Sequence, residues 1–198
     1  VAPASLAPPE EAAVWMQGLS GVPETVKTWL EAVYAAGSAG KLTVGGTVTL
    51  VLIDSTFSQP SATLISQVQT AIDPEENAGE GLGIAPIGHV VKVHGVEAET
   101  VDLSFSLYYQ RGWSWDDVKG YVTDAVNAYF LELAKSWADQ EEALIVRISQ
   151  VESRLLDIDG ILDIAGTKLN GAATNYAMAL DHIPVLGEIT ASTITISA

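Results

Sequence analysis

Cysteine is absent from the 198 residues, which removes disulfides, thiol nucleophiles and cysteine-based zinc sites. That absence is compatible with a reducing compartment. Positive charge is scarce: 9 Lys and Arg face 25 Asp and Glu, for a formal charge of −16. A surface so acidic repels phosphate, which argues against nucleic-acid binding; its plainest consequence is solubility. No apolar run is long enough to span a bilayer. The opening VAPASLAPPEEAAVW lacks a basic start followed by an apolar stretch, so no signal peptide is read there. An initiator Met is also missing, and the chain is expected to be a processed product or a fragment.

The length suits one domain or two small ones with a real core. The chain is organised around Asp73–Val93, DPEENAGEGLGIAPIGHVVKV. It reads as a helix stop at Asp73-Pro74, an acidic loop, a turn punctuated by Gly and Pro over Gly81–Gly88, and a strand from about His89. Upstream, Glu10–Leu19 predicts a short helix, Thr25–Ala36 fits a helical face or a strand, and Gly37–Gly46 reads as a loop. Thr47–Asp54 is β-branched and apolar on both faces, which predicts a central strand. Ser61–Ile72 follows as a helix with Leu64, Ile65, Val68 and Ile72 on one stripe.

Val101–Tyr109 alternates apolar and polar residues, the pattern of a strand with one wet face and antiparallel neighbours. Ser114 is placed to cap a long helix reaching about Trp137, with Asp116 and Asp117 in its first turn. Its apolar stripe reads Val118, Tyr121, Val122, Ala125, Tyr129, Phe130, Leu133, Trp137. Ala143–Ile148 reads as a strand or a helix lead-in, and a capping box at Ser149 and Glu152 predicts a short helix over Gln150–Asp157. A strand over Ile161–Leu169 meets Asn170-Gly171, a strong hairpin signal, with a return strand near Asn175–Leu180. Ile183–Gly187 then reads as a turn before a last strand, Glu188–Ile196.

An ordered set of stretches resembles the baseplate J-like family of tailed phages and prophages, in its C-terminal part. They are GTVTLVLIDS (Gly46–Ser55), AIDP (Ala71–Pro74), GLGIAPIGHVVKV (Gly81–Val93), SLYYQRGWSWDDVKGYVTDAVNAYF (Ser106–Phe130), VRISQVESRLLDIDGILDI (Val146–Ile164), LNG (Leu169–Gly171) and IPVLGEI (Ile183–Ile189). The likeness runs from about Pro23 to the C-terminus and departs at Glu24-Thr25, where members carry Gly-Val after the proline.

The resemblance implies a structural, non-enzymatic part of a contractile-tail baseplate wedge, needed for assembly and located in the virion after passing through the host cytoplasm. Implied partners are other wedge proteins and copies of itself in a six-fold assembly, with no nucleic acid, membrane or small-molecule substrate. The expected fold class is α+β: two tandem small α/β sandwich modules with mainly antiparallel sheets, each with a helix packed on its sheet. Residues 1–96 form the first module, with its leading helix at about 10–19; residues 97–198 form the second, built on the helix 115–137.

No catalytic, cofactor-binding or metal residue is assigned. His89 and His94 fall on opposite faces of a regular strand. His182 beside Asp181 resembles half a dyad, without a serine in a nucleophile elbow. Asp157, Asp159 and Gly160 open like a calcium loop, but Ile161 holds the third ligand position. The acidic pairs Glu75-Glu76, Asp116-Asp117 and Glu141-Glu142 read as solvated charge. The alternative function is a tail-associated cell-wall glycan hydrolase using the acids beside Trp113 and Trp115.

Overall fold

The computed structural model describes residues 46–140 and 142–194. The expected helix at 10–19, the helix or strand at 25–36 and most of the loop at 37–46 lie outside them. The described elements run β1 (Thr47–Leu52), α1 (Ala62–Ile72), β2 (Val90–Gly95), β3 (Glu97–Tyr109), α2 (Trp115–Ser136), β4 (Ile145–Val146), α3 (Ile148–Leu156), β5 (Ile161–Leu169), β6 (Tyr176–Ala177) and β7 (His182–Thr193). The class is α+β, with open sheets. The described residues fall into two units, one of 46–52 with 61–94, the other of 53–60 with 95–194.

In the first unit β1 pairs with β2, and α1 lays Ile65, Val68 and Ile72 on a small core of Ala85, Val91 and Val93 with Leu50 and Leu52. Leu64, expected on that stripe, is exposed. The other edge of β2 is closed by side chains of α1. Gln69 Nε2 donates to the Val91 carbonyl at 2.9 Å, and Gln69 Oε1 accepts the Val93 N–H at 2.8 Å. Asp73 Oδ2 accepts the Val91 N–H at 2.8 Å, while Oδ1 accepts the Gly79 N–H at 2.9 Å. Two buried polar side chains one helical turn apart thus satisfy backbone groups that a neighbouring strand would otherwise take.

The chain from α1 to β2 folds back over the end of α1. Ile84 and Ala85 donate their N–H groups to the carbonyls of Ala71 and Ile72 at 3.1 and 2.9 Å, two of the acceptors a helix leaves open at its C-terminus. Gly83 passes so close to the Ile72 carbonyl that a Cβ there would overlap it. The glycine is a steric requirement of this turn.

The second unit is built on a three-stranded sheet ordered β5-β3-β7. β5 pairs antiparallel with β3, as its alternation leads one to expect, but β7 pairs parallel with β3 from Glu97↔His182 to Leu107↔Thr193. The main sheet is therefore mixed. Ile183–Gly187, expected as a turn, belongs to β7. The irregularity that the turn reading registered is a bulge: Val101 lies opposite Leu186 but Leu103 opposite Ile189. At that bulge Asp102 Oδ1 accepts the Glu188 N–H at 2.8 Å, and a Cβ on Gly187 would overlap the Asp102 carboxylate.

Val101, Leu103, Phe105 and Leu107 line the buried face of β3. α2 packs against β7, α3 against β5, and the two helices against each other. α2 buries Val118, Val122, Val126, Tyr129, Phe130 and Ala134, so its apolar stripe is rotated from the expected one. Tyr121 was expected on the buried face and is 63% exposed. The Ser114 cap forms, Asp117 Oδ2 accepting both the Ser114 N–H at 2.8 Å and its hydroxyl at 2.7 Å.

The expected capping box at Ser149 does not set the start of α3, which begins at Ile148 after Arg147. Its first donors are met from a distance: the Arg147 N–H by the Tyr129 hydroxyl and the Ile148 N–H by Asn175 Oδ1, each at 3.0 Å. Asn170 and Gly171 form their turn, with φ of 48° and 80°, but the hairpin stops after the bridge Leu169↔Ala172. β6 then pairs with β4.

Candidate functional site

Glu97 and Glu99 of β3, Tyr176 of β6 and His182 of β7 meet where β3 and β7 begin. The parallel register that sets Glu97 opposite His182 brings His182 Nδ1 to 3.0 Å from Glu99 Oε2, and Nε2 to 3.6 Å from Glu97 Oε2. The Tyr176 hydroxyl donates to Glu99 Oε1 at 2.5 Å, and the Ala179 N–H donates to Oε2 at 3.1 Å. Partial burial pushes the Glu99 carboxyl up. Bonds from Tyr176 and Ala179, with the charge and hydrogen bond of His182, outweigh it and hold the group below its ordinary value. The bond to Glu99, more than burial, raises the Tyr176 phenol. Both carboxylate oxygens of Glu99 are spent on tying β6 and β7 to β3, so the arrangement works as a clamp. His182 was singled out in the sequence beside Asp181; its actual acidic partner, Glu99, is 83 residues away and gave no local signal.

The acids considered for glycan hydrolysis are not brought together. Asp116 forms an exposed ion pair with Lys119 at 2.9 Å. Asp117 is engaged in the cap, and the hydroxyl and N–H of Ser114 hold its carboxyl below the ordinary aspartate value. A general acid for glycosidic cleavage needs the opposite shift. The Trp115 indole meets Phe105 edge-on at 6.3 Å, whereas Trp113 lies against Gly160. The two rings serve different contacts. Glu75 and Glu76 share a single 3-10 turn, Glu142 is exposed, and Glu141 lies outside the described residues.

His89 and His94 are both exposed. Asp157 and Asp159 are exposed residues on the turn between α3 and β5. Among the described residues no three His, Cys, Asp or Glu side chains stand close enough to hold a metal, and no helix is long and apolar enough to cross a membrane. An open groove of about 520 Å³ runs beside α1, lined in part by Ile65, Ser66, Gln69, Glu75, Glu76 and Val93. The polar head of Gln69 is already bonded to β2.

Comparison with known proteins gives the class. Residues 101–192 match the Baseplate J-like protein C-terminal domain, a span that takes in most of β3, both helices of the second unit and nearly all of β7. The matched residues, a little under half of the chain, are similar to the C-terminal domain of that family. Among individual relatives, the phage-like element PBSX protein XkdT of Bacillus subtilis (strain 168) is 30% identical over 166 residues, 82% of this chain and 45% of that protein. The protein YqbT of the same strain is 31% identical over 166 residues, again 82% of this chain and 45% of the relative. The chain thus spans a little under half the length of these curated relatives.

Proposed function

We propose that this chain is a structural component of a phage or prophage contractile-tail baseplate, a wedge protein needed for baseplate assembly, and that it catalyses no reaction. The observation that carries this reading is the match of residues 101–192 to the baseplate J-like C-terminal domain. The likeness to a phage-like element protein over 82% of the chain supports it. Its partners are other wedge proteins and further copies of itself around a six-fold ring, and its place is the tail baseplate of the virion after assembly in the host cytoplasm. Modules 1–96 and 97–198 serve as two stiff building blocks in tandem. The separate engagement of Asp116 and Asp117, and the lowered Asp117 carboxyl, give the hydrolase alternative no support.

Deletion of the gene in the phage or prophage that encodes it tests the reading. Particles from the deletion strain are expected to lack baseplates under the electron microscope, and the wild-type gene or one carrying Asp116→Asn and Asp117→Asn is expected to restore them equally. Normal baseplates in the deletion strain would refute the structural role. Cell-wall clearing by the purified chain, lost in the Asn variants, would restore the hydrolase.

A further inference from the structure

Three large apolar side chains stand in water on the loop between α1 and β2: Leu82 is 67% exposed, Ile84 80% and Ile87 62%. The backbone that carries them is anchored. The Gly88 N–H donates to the Gly79 carbonyl at 2.8 Å and closes the loop at its base. Ile84 and Ala85 tie its middle to the end of α1, and the Ala85 side chain is buried in the core of the unit. Such a closed loop packed by its own residues is a frequent carrier of function. None of these bonds uses the side chains at 82, 84 or 87, so polar residues there would serve the fold as well. A fixed cluster of exposed apolar groups marks a surface for another molecule.

Charge decides which molecule. At its surface the described part of this unit carries Glu75, Glu76 and Glu80 against Lys92, its one Lys or Arg among the described residues, and no Lys or Arg occurs between Leu42 and Val91. Glu75, Glu76 and Glu80 lie on the segment that leads into the loop. A second copy docking here would set like carboxylates against each other, which disfavours that pairing, and an anionic membrane or nucleic acid would be repelled. We propose that residues 81–88 form a docking knob for a different protein of the tail, one that offers an apolar socket rimmed by Lys and Arg. This rests on the baseplate reading above and gives it a surface and a kind of partner.

The test uses the full chain against each purified tail protein encoded in the same phage element, by surface plasmon resonance at low and high salt. One of them is expected to bind, more weakly as salt rises, and Leu82→Asp or Ile84→Asp is expected to weaken it by at least about tenfold. The exposed positions predict unchanged circular dichroism and melting temperature for both variants. Leu180→Asp, an equally exposed site in the other unit, is expected to bind as wild type. Binding that ignores the loop variants overturns the knob and leaves the baseplate reading standing. Failure of the wild-type chain to bind any tail protein overturns both.

The absence of native cysteine allows a second readout, because a photocrosslinker on Ile84→Cys sits at one site alone. Crosslinks to the bound tail protein support the proposal. Crosslinks to residues 1–45 of the same chain, or between two copies, would overturn it.

Discussion

The two units guard their strand edges differently. In the unit of 95–194 with 53–60, β3 is flanked by whole strands, antiparallel β5 on one side and parallel β7 on the other, above a core of helix and strand side chains. In the unit of 46–52 with 61–94, β2 has β1 on one side and, among the described residues, the heads of Gln69 and Asp73 on the other. The first solution is backbone pairing, tolerant of which residues are used. The second is side-chain mimicry of a strand, and it depends on two particular residues. One unit should therefore respond to loss of volume, the other to loss of hydrogen-bonding groups.

The largest expected effect is in the strand-paired unit. Leu103→Ala removes a fully buried side chain from the middle of β3 and should destabilise by about 3–4 kcal/mol, read as a lower midpoint in urea. Asp73→Ala should cost about 2–3 kcal/mol, since it strips acceptors from the Val91 and Gly79 N–H groups. It should also open the edge of β2, so sedimentation should show more self-association than the wild-type chain does. Asp73→Asn, which keeps one acceptor, should fall between the two. An Asp73→Ala chain as stable as wild type, and no more self-associated, would abolish the contrast between the units.

The Glu99 clamp sharpens the comparison through pH. Its carboxyl is held below the usual glutamate value of 4.5 in the folded chain, so its contribution to stability is fully present above that value. It is lost as pH falls through the lower folded pKa. Glu99→Gln should flatten this acid arm of a stability–pH profile, and an unchanged profile would show that the clamp contributes nothing. The smallest effect is at Thr167, buried on β5 with a hydroxyl that finds no partner among the described residues. Thr167→Val should leave stability unchanged or raise it by up to ~1 kcal/mol in chemical denaturation.

Elements specified by their own neighbours were legible in the sequence. The start of α2 follows from Ser114 and Asp117, and β5 from its flanking turns. Elements specified from afar were not. The Ser149 box was outcompeted because Tyr129 and Asn175 supply acceptors one residue earlier. The Asn170-Gly171 signal produced its turn but no ladder, because Asn170 engages β3 instead, its Oδ1 accepting the Asp102 N–H at 2.7 Å. The parallel pairing of β7 joins residues some 85 positions apart, beyond any local pattern. Gln69 and Asp73 read as polar residues at the end of an apolar stripe, and only the nearby edge of β2 gives them their task. For the candidate site, the sequence drew attention to His182 beside Asp181 and missed its partner Glu99, 83 residues away, altogether.

The central claim, that this chain is a built-in part of a tail baseplate, is tested most directly by counting it in purified particles. Quantitative mass spectrometry of intact tails, with electron microscopy of tails labelled through an added epitope, should find it at the baseplate in a multiple of six copies. Purified tails that contain none of it, or that carry it anywhere but the baseplate, would contradict the account.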